Sequence, residues 1–151
     1  MRAMVLTELG RLQDNPTPLQ LTHLLDPTAS DDELLLQVSA CGVCHTELDE
    51  IEGRTPPPRL PVVLGHQVVG RVVTAGSRSA GFQPGDRVGV AWLYWACGNC
   101  SACLDGNENL CPDFRATGRD ANGGYAELMT VPAAFAYPIP AVFSDVEAAP
   151  L

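Results

Sequence analysis

Three short segments of this 151-residue chain carry side chains that can do chemistry. The first reads Cys41-Gly42-Val43-Cys44-His45-Thr46-Glu47, and the second reads Gly65-His66-Gln67. A thiolate at Cys44 and an imidazole at His66, brought together from separate segments, form a soft half-site that suits zinc. A catalytic zinc also keeps one position open for water or substrate. The third segment is Cys97-x2-Cys100-x2-Cys103-x7-Cys111. Four thiolates from one short stretch can wrap a tetrahedral ion with no open position, which is the pattern of a structural zinc. An iron–sulfur cluster is the rival reading, because Cys111-Pro112 repeats the C-P that closes ferredoxin runs, although the last gap is longer than theirs.

Cys41-x2-Cys44 also admits two other readings. Placed after a strand and opening a helix, it resembles a redox dithiol whose thiolate the helix N-terminus favours. It also suits a two-sulfur zinc clip with His66 as third ligand. Of the three histidines, His23 falls in an alternating stretch and reads as structural. Thr46 can be a simple first-turn residue, or its hydroxyl beside Cys44 can pass a proton. Trp92 reads as core or as a pocket wall.

The elements that must position these groups are mostly strands. Arg2–Thr7, Leu19–Leu25, Leu34–Ala40, Val68–Thr74, Arg87–Trp92 and Tyr125–Val131 have strand patterns, and a last strand runs to Tyr137. Leu34–Ala40 is apolar almost throughout and is expected to be buried on both faces. His45–Glu52 reads as a short helix closed by Gly53, with Glu47, Asp49 and Glu50 near its start, where the helix dipole favours acids. Thr55-Pro56-Pro57-Pro58 and Pro61 read as a stiff connection without donors for a sheet. Short strands with Gly and Pro turns predict a mainly β barrel or sandwich with few short helices and an inserted cysteine lobe over about residues 95–113.

Composition narrows the partners. The formal charge is −9, and all nine basic residues are Arg. That balance argues against nucleic acid and against an anionic membrane surface. No run approaches the ~18–20 apolar residues of a membrane span, and the N-terminus lacks the pattern of a signal peptide. A cytoplasmic location is expected, where six cysteines serve as ligands or thiols rather than disulfides. Ser144 and Glu147 form a capping box that announces a helix, yet the sequence given stops at Leu151. The expectation is one domain over residues 1–151 that is the front part of a longer protein.

Taken together, C-G-V-C-H-T-E, G-H-Q-V-V-G, G-D-R-V-G-V-A-W and the four-cysteine lobe resemble the zinc-dependent alcohol dehydrogenases of the medium-chain dehydrogenase/reductase superfamily. The resemblance implies a GroES-like, partly open β-barrel and a nicotinamide-binding Rossmann domain after residue 151. It implies that Cys44 and His66 bind a catalytic zinc, with a third ligand cysteine beyond Leu151, and that Cys41 is not a ligand. It assigns Cys97, Cys100, Cys103 and Cys111 to a structural zinc. His45 would meet the cofactor pyrophosphate, Thr46 the substrate oxygen, and Trp92 would line the pocket and favour small alcohols. The implied cofactors are zinc and NAD or NADP, with small alcohols and aldehydes as substrates and a homo-oligomer as the full-length form. The fragment alone is expected to be inactive. A zinc-stabilised scaffold module without catalysis is the alternative.

Three residues depart from the family pattern. Glu47 stands where an Asp is usual, and its extra methylene still lets it orient His66 through the second ring nitrogen. Gln67 stands where a Glu is usual and adds no charge near the metal. Asp49 stands where many members have a histidine that completes a proton relay.

Overall fold

The computed structural model describes residues 1–151. Ten strands, three short α-helices and two 3-10 turns follow in the order β1 (Arg2–Leu6), β2 (Leu19–His23), β3 (Glu33–Cys41), α1 (His45–Ile51), β4 (Val62–Val63), β5 (Val68–Ala75), β6 (Arg87–Val90), β7 (Leu93–Trp95), α2 (Ser101–Leu104), β8 (Arg115–Ala116), β9 (Leu128–Pro132), β10 (Ala136–Pro138) and α3 (Asp145–Ala148). All ladders are antiparallel. The main sheet has the order β10-β6-β5-β3-β9, a second sheet the order β2-β1-β4, and β7 pairs with β8 at the base of the cysteine lobe, one strand on either side of it. The Ala3–Ala126 bridge and the Met4 N–H to Tyr125 carbonyl bond at 2.8 Å join the second sheet to the approach to β9. The result is the mainly β class that the strand pattern predicts and the partly open barrel that the family resemblance implies.

The barrel core gathers Leu34, Leu36, Val68, Val72, Val88, Val90, Met129 and Val131, one face of four neighbouring strands. Here β3 corrects the sequence expectation. It is central in the sheet, but only Leu34 and Leu36 are fully buried along it, and Gln37 and Ser39 are exposed. An antiparallel sheet with one solvated face needs alternation, not burial of both faces.

Other boundaries shift for local reasons. The predicted strand Arg87–Trp92 stops at Val90, because Thr117 takes both next carbonyls: its hydroxyl donates to Ala91 O and its N–H to Trp92 O, each at 2.8 Å. The proline-rich connection does lack donors, but Val62 and Val63 follow it and pair with β1, a strand the pattern did not show. Ser144 caps α3 as the capping box requires, its Oγ accepting the Glu147 N–H at 3.3 Å. Ala148 and Ala149 then bury that helix end against Val69.

Candidate metal centres

The sheet register is what brings the first two segments together. Cys41 at the end of β3 pairs with Val68 at the start of β5, and Gly42 N–H donates to Gln67 O at 2.8 Å. The chain leaving β3 and the chain entering β5 therefore emerge side by side. A Cβ at Gly42 would sit 2.5 Å from Gln67 Oε1, so any side chain there would displace the end of Gln67. Gln67 thus packs over the Cys41–Cys44 turn. Gly65 holds φ +96°, a conformation that disfavours any side chain, and a Cβ there would meet the Tyr125 ring at 2.7 Å.

Cys44 is the N-cap of α1, and its extended backbone (φ −118°, ψ 159°) turns the chain into the helix. Glu47, in the first turn, ties both segments. Its Oε2 accepts the Cys44 N–H at 2.8 Å, and its Oε1 lies 2.8 Å from His66 Nδ1. These two atoms have no other hydrogen-bond partner, and both residues are buried. With Nδ1 engaged by the carboxylate, Nε2 is the nitrogen left to act as a ligand. The Cys44 Sγ lies 3.5 Å from Thr46 Oγ1.

Titration follows this geometry. The hydroxyl and backbone of Thr46 lower the Cys44 thiol from its usual range, and His66 adds to the effect. Burial alone would lower the His66 pKa, but Glu47 and the Cys44 sulfur outweigh it and the net shift is upward. These shifts favour thiolate at Cys44 but imidazolium at His66, so a cation binding there would displace the His66 proton.

The remaining residues of the site are spread around this pair. Trp92 meets the His66 ring edge-on, with centroids 5.2 Å apart and planes at 79°. His45 is exposed at the start of α1, its Nδ1 3.5 Å from Asp49 Oδ1. Asp49 also receives the Arg54 guanidinium at 2.5 Å, and that contact holds its carboxyl below the usual range. Cys41 and Cys44 are both free thiols. The Cys41 sulfur lies among Gly65, Gly124 and Tyr125, and burial, reinforced by Glu47, pushes its thiol up to about 12. Cys41, Cys44 and His66 do not form a set of three donors close enough together to share an ion.

The sequence reading sets Glu50 with Asp49 and Glu47 near the start of α1, but only Glu47 lies in the first turn, and Glu50 is buried near the helix's end. It is wholly buried, neither carboxylate oxygen has a partner, and burial together with Glu47 raises its pKa to about 7. The signal was present: Glu47, Glu50 and Ile51 follow helical i, i+3, i+4 spacing and form the buried face of α1. Arg119, which stacks on Trp92, gave no such signal.

The cysteine lobe is a second and different centre. The sulfurs of Cys97, Cys100, Cys103 and Cys111 all lie within 4.8 Å of one another, and no other set of three or more Cys, His, Asp or Glu donors lies so close. Cys100 caps α2, which carries Cys103, and the 3-10 turn Glu108–Leu110 leads into Cys111. Backbone amides point at the sulfurs, with Cys100 N 3.4 Å from Cys97 Sγ and Cys97 N 3.5 Å from Cys111 Sγ. The amides of Asn99 and Cys100 lower Cys97 to about 7, while burial raises Cys103. Four sulfurs in a closed set fit a tetrahedral ion.

Comparison with known proteins gives the class. Residues 30–141 match the alcohol dehydrogenase GroES-like domain, and the chain belongs to that family. It is 52% identical over 139 residues to the Mycobacterium tuberculosis protein named "Probable alcohol dehydrogenase AdhA", covering 89% of this chain and 40% of that one. It is 40% identical over 152 residues to an alcohol dehydrogenase of Geobacillus stearothermophilus, covering 100% of this chain and 43% of the relative. Among solved structures, an NAD-dependent alcohol dehydrogenase superposes with a TM-score of 0.90 at 33% identity, covering 100% of this chain and 43% of that one. The cobalt- and zinc-bound thermostable alcohol dehydrogenase of Pyrobaculum aerophilum superposes with a TM-score of 0.88 at 31% identity, covering 100% and 44%. The chain therefore spans about two fifths of the length of these relatives.

Proposed function

We propose that this chain is the catalytic domain of a zinc-dependent oxidoreductase that interconverts small alcohols with aldehydes or ketones by hydride exchange with NAD or NADP. A Rossmann cofactor domain then follows it in a longer polypeptide, and that polypeptide assembles as a homo-oligomer. The observation that carries this reading is Glu47, which accepts from the Cys44 backbone with one oxygen and engages His66 Nδ1 with the other. That arrangement fixes a thiolate and an imidazole nitrogen as neighbouring donors, a soft set that fits zinc.

Cys44 and His66 would hold the catalytic zinc, with a third cysteine from the following segment. Cys97, Cys100, Cys103 and Cys111 would hold the structural one. Zinc in the first position would act as a Lewis acid that lowers the pKa of a hydroxyl group. The chain's own residues supply the rest. Thr46 Oγ1, 3.5 Å from Cys44 Sγ, stands where it can hydrogen-bond the substrate oxygen and take its proton onward. The exposed His45 at the N-terminus of α1 offers a donor to the cofactor phosphates, and Trp92 walls the substrate side of His66. The carboxylate of Asp49, not an imidazole, stands at the relay position, so no histidine limb is expected in the pH–rate profile. The buried thiol and thiolate sites suit a reducing compartment, and we place the protein in the cytosol.

The test is alcohol-dependent reduction of NAD or NADP by the full-length polypeptide. Turnover that disappears in C44S and H66A supports the assignment. A complete polypeptide that binds nicotinamide yet oxidises no alcohol and reduces no aldehyde refutes it and favours the scaffold reading. The 151-residue chain is expected to show no turnover by itself.

A further inference from the structure

The turn at residues 117–121 lies against the metal-binding pair without contributing a ligand. Three backbone bonds lock the segment after it to the chain from β4 toward His66: Gly123 N–H to Val63 O at 2.7 Å, Gly124 N–H to Gly65 O at 2.8 Å, and Tyr125 N–H to Leu64 O at 3.0 Å. Thr117, wholly buried, fixes its start to Ala91 and Trp92. Between these anchors stands Arg119. Its guanidinium lies 5.6 Å from the Trp92 ring centroid and 5.3 Å from that of Phe114, so the cation faces two aromatic rings. Asp120 holds it there, with Nε 3.0 Å and Nη2 2.8 Å from Asp120 Oδ2. Asp120 Oδ2 is itself fixed by the Ala116 N–H at 2.8 Å. Trp92 in turn meets His66 edge-on.

We propose that Arg119 is a positioning residue for Trp92, and that by holding the indole against His66 it sets how large an alcohol the cleft accepts. The proposal rests on the alcohol dehydrogenase reading for its substrate but not for its contact. An indole without the cation over its face has one side unsupported and can rotate away from His66. Guanidinium geometry is what spans the two rings and Asp120 at once, because it is planar and donates in a fixed fork. A pocket wall that rotates admits longer chains.

The first measurement uses the full-length enzyme and the ratio of kcat/KM for 1-hexanol to that for ethanol. In R119A and in R119M, which keeps the stem without the charge, the ratio should rise by about two- to fivefold, the fold-change a cation–π contact is worth. It should rise through KM for hexanol rather than through kcat. R119K should restore part of the wild-type ratio. W92A should raise the ratio further, and R119A in the W92A background should add nothing. An unchanged ratio in R119A and R119M, or effects of Arg119 and Trp92 that simply multiply, overturns the proposal.

The second measurement does not need turnover. In a W95F background, with any tryptophan after residue 151 also replaced by phenylalanine, Trp92 is the sole tryptophan. R119M should then make its fluorescence more accessible to acrylamide, with R119K intermediate. Unchanged quenching overturns the positioning role. If the wild-type enzyme has no alcohol activity, the function fails while this second measurement still decides whether Arg119 holds Trp92.

Discussion

The cysteine lobe is built from sulfurs faced by backbone amides and the Cys44–His66 pair from one sulfur and one imidazole backed by a carboxylate, and they are opposite solutions. The lobe draws all its donors from residues 97–111, a segment that closes on itself with four sulfurs within 4.8 Å. The pair draws one donor from each of two segments that meet only because Cys41 is in register with Val68. The lobe is closed and its sulfurs are steadied by neighbouring amides. The pair is open and is steadied from behind by Glu47, with a second buried carboxylate, Glu50, on the same helix face. A locally assembled set suits a permanent ion. A set assembled by the sheet, with open coordination and titratable groups behind it, suits chemistry.

This contrast is broken most directly by metal removal. The chain should purify with about one tightly bound zinc, held in the lobe, because only there do four ligands close around the ion. C103S should lose that zinc and the ordered structure of residues 97–111, while C44S should keep it. Zinc content by mass spectrometry checks this, and a chain that retains its zinc in C103S but loses it in C44S reverses the ranking of the two centres. The lobe's zinc should also be lost in acid, since the thiols must give up protons to bind it.

The next largest effect concerns Glu50. Its pKa is raised from 4.5 to about 7, so the folded chain binds the proton more tightly than the unfolded chain. Stability should therefore be greatest below about pH 4.5 for this group and fall as pH rises to about 7, by an amount on the order of 3 kcal/mol. E50Q carries no such penalty. Urea unfolding at about pH 8 should show E50Q more stable than wild type, with the advantage shrinking toward about pH 5. An advantage that is constant with pH sinks the assignment of a buried, destabilised carboxylate.

The smallest effect sharpens the comparison at the open centre. E47Q replaces the oxygen facing His66 Nδ1 with an uncharged group. It should weaken metal binding or turnover at the Cys44–His66 centre by about 10–100-fold while leaving zinc in the lobe untouched. Cobalt substitution of the full-length protein, followed by visible absorption, measures the two centres separately. Equal loss at both would mean that Glu47 acts on the fold and not on the metal pair.

Much of this was legible in the chain itself. Four cysteines at short spacing define the lobe because their geometry is local, and a capping box at Ser144 and Glu147 defines a helix start for the same reason. The strand pattern gave the β class but not the break after Val90, which Thr117 imposes from 26 residues away. Nor did apolar content separate a strand buried on one face from one buried on both, since Leu35, Val38 and Ala40 are only partly covered.

The sequence by itself determined the ligand types, the closed lobe and the mainly β class, because each depends on spacing within one segment. The resemblance pointed to Glu47 on His66, and only the tertiary structure decided that Glu50 is left without a partner and that Arg119 lies on Trp92. Those relations join residues far apart in the chain, or depend on which helix face the sheet covers. Local spacing can mark which face of a helix is buried, but which partners that face meets is set by register and packing.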